Sequence, residues 1–260
     1  DRFAKGEHLS RTSGRFPGYH ISRLCSGTVS IESLVNDFNE GLGNDWAMQR
    51  FYNSDLGLPY VAQGAKVTKE LLDQALSNFT IPAKAHHPTV AGIDVGKVFH
   101  IRINEILPSG YERAVFIGER RELKELLDLI REYGTKVAVI DALPETRISK
   151  QFASALPGGF RCFFGSERKD FVSPKDKTVT VDRTQTLDEV KEAYVLNRIL
   201  LPASAPSILG FYEQMQASTR IWEEKREKYT WEEGDQDDHY FLAEGYLRVA
   251  KKILSSYGGA

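Results

Sequence analysis

Aspartate stands in this chain at positions where a lone carboxylate is costly. Asp94 interrupts the apolar run "AGIDVG", and a carboxylate buried there without compensation is strongly disfavoured unless it is paired or holds a cation. Asp141 closes a second apolar run, "VAVID", and the stretch "GDQDD" crowds Asp235, Asp237 and Asp238 together just ahead of a helical pattern. A single Asp would cap that helix and complement its dipole, so the adjacent pair Asp237 and Asp238 adds repulsion for little gain if capping is the only role. Carboxylates arriving from three separate elements are what hard divalent cations such as Mg²⁺ or Mn²⁺ take as ligands, and such ions support in-line attack on a phosphodiester. The bland alternatives are a turn start at Asp141 and a helix cap at Asp238.

The elements that must position these residues follow from periodicity. "TVAGIDVG" predicts an apolar strand, "KVFHIRINEIL" alternates at period two, and "YERAVFIGE" is a third strand after the turn "PSG". "RRELKELLDLIREYG" predicts an amphipathic helix ended by Gly134, and "TKVAVIDALP" a buried strand, completing strand, helix, strand. A helix over "TRISKQFASALPGG", a strand "FRCFFGSE" and a short polar strand "KTVTVDRTQT" come next, and the chain after Pro206 reads as largely helical. From Tyr240 onward, Leu242, Tyr246, Val249 and Ile253 recur at helical steps, so Asp238 falls at the start of a well-anchored helix. The fold class is therefore α/β, a mixed β-sheet flanked by helices, in which sites form at the carboxyl ends of strands.

Ahead of this lies a segment of different character. Residues 1–20 are rich in Gly, Arg and Ser, "SIESLVNDFNEGL" and "TKELLDQALSNF" predict short helices, and "MQRFYNSDLGLPYV" is turn-rich. The prolines of "TIPAKAHHPT" place the expected boundary there, giving a linker or appendage over 1–87 and a main domain over 88–260.

Composition narrows the class. The 260 residues are 41% hydrophobic and 27% charged, as in an ordinary globular protein, and no apolar run approaches the length that spans a bilayer. Without an apolar leader the chain reads as intracellular. Cys25 and Cys162 are far apart and predict neither a disulfide framework nor a cysteine metal site, and the adjacent His86 and His87 lack metal-ligand spacing. The net charge is −2, but residues 144–184 hold eight Lys or Arg against five acids and residues 223–238 hold eight acids against three bases. A basic face beside an acidic pocket suits a metal-dependent enzyme acting on a polyanion. There is no G-x-x-x-x-G-K-[ST], so ATP hydrolysis is not expected of this chain.

With these residues in place, a family resemblance can be stated. "GIDVGKVFHIRI" resembles the first strand pair of the ribonuclease H-like superfamily. "VIDALPETRISKQFA" is similar to the D-x-x-P segment of the nuclease domain in bacteriophage large terminase subunits. "DDHYFLAEGYLRVA" resembles that family's closing motif through Asp238, His239, Ala243 and Tyr246, though Leu242 stands where an acid often precedes the Ala. "DWAMQRFYNSDLGLPY" resembles the stretch that links the terminase motor to the nuclease. The resemblance covers about residues 20–255, in order.

It implies a ribonuclease H-like nuclease that cuts concatemeric double-stranded DNA during viral genome packaging, using two Mg²⁺ or Mn²⁺ ions. Asp94 would bridge them, Asp141 would hold one and Asp238 the other, with Asp237 as a further or alternate ligand. Lys97, Arg147, Lys150, Arg168, Lys169, Lys175 and Lys177 are candidates for contact with DNA phosphate, a largely sequence-independent and salt-sensitive interaction. The resemblance further implies a portal protein and a small terminase subunit as partners, the host cell cytoplasm as location, and an ATPase motor ahead of Asp1. The full-length protein would form a ring on the procapsid, and this fragment would be monomeric. Rival expectations are a Holliday-junction resolvase-like nuclease, an actin-like phosphate-binding module, which would need a second glycine-rich loop, and a non-catalytic domain docking on a portal.

Overall fold

The computed structural model describes residues 22–42, 45–58, 65–81, 83–165 and 170–257. The chain divides into two compact units, residues 1–63 and residues 64–260. The first is helical where described. Ser30 caps helix α1 (Ile31–Gly41) by accepting the Ser33 N–H at 3.0 Å. Helix α2 (Asp45–Arg50) runs into a π-helical turn, Phe51–Leu56, that Gly57 ends in the left-handed region at φ 66°. The expected helix over "SIESLVNDFNEGL" is present, and part of the stretch read as turn-rich is helical. Its small core is Leu34, Met48 and Phe51, beside an ion pair between Arg23 and the buried Asp55.

Among the described residues, the second unit is built on a nine-stranded sheet. In chain order the strands are β1 (Leu76–Ser77), β2 (Thr89–Val95), β3 (Phe99–Ile106), β4 (Glu112–Arg120), β5 (Val137–Asp141), β6 (Gly159–Gly165), β7 (Phe171–Ser173), β8 (Thr178–Asp182) and β9 (Ile199–Pro202). The spatial order is β1-β9-β4-β3-β2-β5-β6-β8-β7. Strands β2, β3 and β4 form an antiparallel meander, and β5, β6 and β8 continue in parallel from β2. The connecting helices are α3 (Lys69–Gln74), α4 (Leu123–Glu132), α5 (Thr146–Ala155), α6 (Arg183–Val195), α7 (Phe211–Ala217) and α8 (His239–Tyr257).

Period-two alternation sorts side chains between two layers. Ala91, Ile93 and Val95 of β2, with Phe99, Ile101 and Ile103 of β3, pack with Leu126, Leu129 and Ile130 of α4 and Phe152 of α5. Val90 of β2 and Val137 and Val139 of β5 pack instead with Tyr246, Leu247, Val249 and Ile253 of α8. Asp94 and Asp141 continue this second set in register, so both lie on the α8 face. α8 crosses β2 with backbone against backbone: a β-carbon added at Gly92 would lie 2.0 Å from the Ala243 carbonyl oxygen and 2.2 Å from the Leu247 amide nitrogen. Glycine is required there by close approach.

The compact unit begins at residue 64, whereas the sequence pattern set the expected boundary after residue 87. Val67, Leu72 and Ala75 are buried in its core, and β1 pairs in parallel with β9, so residues 65–81 belong to the sheet domain and not to a linker. The region after Pro206 is not uniformly helical: Ser218–Glu223 (β10) and Lys228–Glu233 (β11) form a separate antiparallel hairpin. The hairpin places Trp222 against Tyr229 edge to face at 5.0 Å and lays Arg220 over the Tyr229 ring at 3.9 Å. These cross-strand aromatic and cation–π contacts outweigh the helical preference of the intervening Glu and Lys residues. Strand β9 begins within "LDEVKEAYVLNRIL", whose pattern predicts helix, and runs on to Pro202.

Candidate active site

Asp94 and Asp141 are brought side by side by strand pairing alone. Parallel β2 and β5 match Ile93 with Ile140, so the next residues, Asp94 and Asp141, sit at the same level at the carboxyl ends of adjacent strands. Asp94 is only 3% exposed, and burial raises its carboxyl above the usual carboxylate range despite a compensating bond to His239. Asp141 is raised to about 6, first by burial, with the neighbouring Asp94 charge adding to the effect. It accepts the Leu143 N–H at 3.1 Å, and the Tyr246 side chain bonds to it from α8. Two adjacent carboxylates that both resist ionisation form a pocket short of positive charge.

α8 brings in Asp238, which like Asp141 stays outside the group of ligand atoms that gathers within 4.8 Å among the described residues. Asp238 is buried, and the Ser218 hydroxyl donates to its Oδ2 at 2.5 Å, while its backbone carbonyl accepts the Leu242 N–H at 3.0 Å and starts the helix. Asp237 is turned outward, its side chain 74% exposed, with its carboxylate 3.9 Å from Nε2 of His239. The neighbouring pair, alike in sequence, is thus split: Asp238 faces in, close enough for its charge to act on Asp94, and Asp237 faces out. His239 opens α8 and shares a hydrogen bond between its Nδ1 and Asp94 Oδ2 at 2.8 Å, an interaction that raises the imidazole above its ordinary value.

Sequence reasoning missed His100. Antiparallel pairing sets it directly opposite Asp94, and the next strand sets Glu119 directly opposite His100. Its ring stacks on His239 at 4.5 Å, and burial lowers it to about 4. The signal was present, because the tight turn between "GIDV" and "VFHI" fixes that register. Among the described residues, Asp94, His100 and His239 can offer ligand atoms within 4.8 Å of one another.

A buried ionic network holds α8 on the sheet beside this site, and none of its members was singled out from sequence. Arg102, two residues along β3 from His100 and on the same face, pairs with Glu244 at 2.9 Å. Arg248 grips Glu112 through both terminal nitrogens and reaches Glu244 at 2.7 Å, and Lys251 reaches Glu112 at 2.7 Å. Removing one partner from such a set leaves a buried charge uncompensated, a loss of about 3–5 kcal/mol.

The basic candidates scatter. Lys97 is exposed in the β2–β3 turn just past Asp94, and Arg147 and Lys150 are exposed on α5, which starts after the carboxyl end of β5. These three are at the acidic end of the sheet. Lys175, between β7 and β8, and Lys177 lie at the opposite end, where β8 begins. Lys177 donates to the Ala153 and Leu156 carbonyls at 2.9 and 2.6 Å, capping the end of α5. Arg168 and Lys169 lie outside the described residues. Glu145 is exposed at the N-cap of α5, Cys162 is buried with its thiol pushed up by burial, and the backbone N–H groups of His86 and His87 bond to Glu105.

Residues 16–113 match the family described as terminase large subunit gpA, endonuclease domain, a span that holds Asp94 and His100 but ends before Asp141 and Asp238. No curated protein sequence matches the chain. Among solved structures, the nuclease domain of the large terminase subunit gp2 of bacterial virus Sf6 is similar with a TM-score of 0.50 and 12% identity, over 71% of this chain and 96% of that one. The large terminase nuclease from thermophilic phage G20c aligns with a TM-score of 0.48 and 11% identity, over 69% of this chain and 95% of that one. The α/β fold expected from sequence, a mixed sheet flanked by helices, is borne out, and the match over residues 16–113 agrees with the resemblance to terminase nucleases.

Proposed function

From this kinship with terminase nuclease domains, we propose that the chain is a metal-dependent endodeoxyribonuclease that cuts concatemeric double-stranded DNA in viral genome packaging. The observation that carries the reading is the placement of Asp94 and Asp141 side by side at the carboxyl ends of β2 and β5, with Asp238 brought in by α8. The residues fit a divalent ion: two adjacent carboxyls are held above their usual range by burial, and His100 Nδ1 is buried without a partner among the described residues. Asp94, Asp141 and Asp238 would hold Mg²⁺ or Mn²⁺, hard divalent ions that take carboxylate oxygens as ligands. Two such ions would supply an activated water and offset the charge that builds on the scissile phosphate.

The chain's own residues do the rest. Rigid strands fix Asp94 and Asp141, His239 holds one oxygen of Asp94, and Ser218 holds Asp238. Lys97, Arg147 and Lys150, at the acidic end of the sheet, would meet phosphate on either side of the scissile bond. Asp237, Lys175, Lys177, Arg168 and Lys169 are kept as candidates of the same reading. Double-stranded DNA is the proposed substrate. The portal protein, the small terminase subunit, the host cell cytoplasm and assembly as a ring on the procapsid belong to the proposed whole protein. Among the described residues no helix is long and apolar enough to cross a membrane.

The test is cleavage of supercoiled plasmid in Mn²⁺, Mg²⁺ or EDTA by the wild-type chain, Asp94→Asn and Asp238→Asn. Metal-dependent nicking and linearisation, lost by about a hundredfold or more in both variants, is the expected result, a size in keeping with loss of a catalytic charge. A folded wild-type protein that leaves the plasmid intact with every metal would instead favour a docking domain without catalysis.

A further inference from the structure

Asp94, His100 and Glu119 stand in line across three strands, each opposite the next. Residues so paired share one face of the sheet, here the face on which α8 and His239 lie. His100 is 4% exposed, its Nε2 is 3.2 Å from Oε1 of Glu119, and its Nδ1 is buried with no hydrogen-bond partner among the described residues. A carboxylate at Nε2 draws the ring proton there and leaves the Nδ1 lone pair free. That is the arrangement by which metal-binding histidines are oriented, with the far nitrogen donating to a carboxylate. The His239 ring, stacked on His100, holds Asp94 through Oδ2 and leaves the other oxygen of that carboxylate available.

We propose that His100 is a nitrogen ligand that shares an ion with Asp94, so that the site selects a divalent transition metal such as Mn²⁺ over Mg²⁺. The inference rests on the nuclease reading and deepens it by naming the donor set. Mg²⁺ prefers six oxygens in near-ideal octahedral geometry and gives up water reluctantly, whereas imidazole nitrogen is a good donor for first-row transition ions. One donor set of Asp94, His100 and His239 already gathers within 4.8 Å, so small side-chain shifts bring such atoms around one ion. Glu119 acts through His100 as a positioning residue. A buried imidazole nitrogen without a partner, on a ring that lies beside Asp94, is costly unless a ligand uses it, because a buried polar atom that makes no hydrogen bond is disfavoured.

Pulsed electron paramagnetic resonance of the Mn²⁺-loaded chain reads the ligand without relying on cleavage. The expected spectrum shows nitrogen coupling from a directly bound imidazole, which changes isotope pattern in a ¹⁵N-histidine-labelled chain. It disappears in His100→Gln and persists in His239→Gln. Competition by Mg²⁺ in the same titration should become about tenfold more effective in His100→Gln, and Glu119→Gln should move in the same direction by less. In metal-free wild-type protein, ¹⁵N shifts should show His100 protonated at Nε2, a readout that needs no variant to fold. Tight Mn²⁺ binding without nitrogen coupling, coupling lost in His239→Gln alone, or His100 protonated at Nδ1 would each overturn the inference and leave the nuclease reading standing. A folded chain that binds no Mn²⁺ would overturn both.

Discussion

At the scale of single residues, the site is defined by carboxylates held where they do not want to ionise. Asp141 shows this best. Its usual value is 3.8, and in the fold it is raised to about 6 by burial and by Asp94. For a group raised on folding, the stability tied to its proton is fully present below pH 4 and is lost as pH rises through 6. The metal-free protein therefore carries a penalty at pH 7 to 8 that Asp141→Asn removes. The variant should melt a few degrees above wild type at pH 8 in EDTA. That corresponds to about 1–2 kcal/mol once partial solvent exposure is allowed for. Near pH 4 the two should melt together. Calorimetry over that range, with and without Mn²⁺, checks the sign, because the ion should raise wild type more than the variant. Equal melting at pH 8 in EDTA would show that the Asp141 charge is already compensated without metal.

At the scale of elements, everything depends on where α8 lies. It carries Asp238, His239 and Tyr246 to the acidic face, and it can do so because Gly92 lets its backbone touch β2. Gly92→Ala should force α8 outward or fail to fold, with a loss of about 3 kcal/mol or more in urea unfolding. Gly134→Ala, a glycine with φ 58° and nothing within 4 Å of an added β-carbon, serves as the control in which only backbone strain is felt. Its loss should be smaller, about 1 kcal/mol. Equal losses at the two positions would show that the close approach at Gly92 has little energetic weight. Strands β2 to β6 and β8 were readable from sequence because they are apolar or alternating runs bounded by turn residues. The β10–β11 hairpin was not, because its stability comes from pairs such as Trp222 with Tyr229 and from Asp188, which accepts from Arg220 and from Trp231 Nε1. Those partners are distant in the chain, and local propensity does not report them.

At the scale of the whole molecule, residues 64–260 form a compact unit with their own core. A chain beginning at residue 64 should therefore melt cooperatively and bind Mn²⁺ as the longer chain does. A chain beginning at residue 88 lacks α3 and β1. It exposes the edge of β9 and removes Val67, Leu72 and Ala75 from the core, so it should aggregate or melt well below the longer one. Comparable melting of both would restore the boundary at residue 87. Thermal denaturation beside size-exclusion chromatography distinguishes the outcomes.

What the sequence determined by itself is the part governed by short-range pattern. Period-two strands, the helix that Gly134 ends and the conspicuous acids Asp94, Asp141 and Asp238 are all written locally, since an apolar strand cannot hide a carboxylate without cause. Tertiary structure decided the rest. It chose Asp238 over Asp237 for the interior through Ser218, twenty residues upstream in the chain. It set His100 between Asp94 and Glu119 through strand register, and it moved Lys175 and Lys177 to the far end of the sheet through the direction of β8. Charge and residue type are local properties, but the direction in which a side chain faces is set by what packs against it.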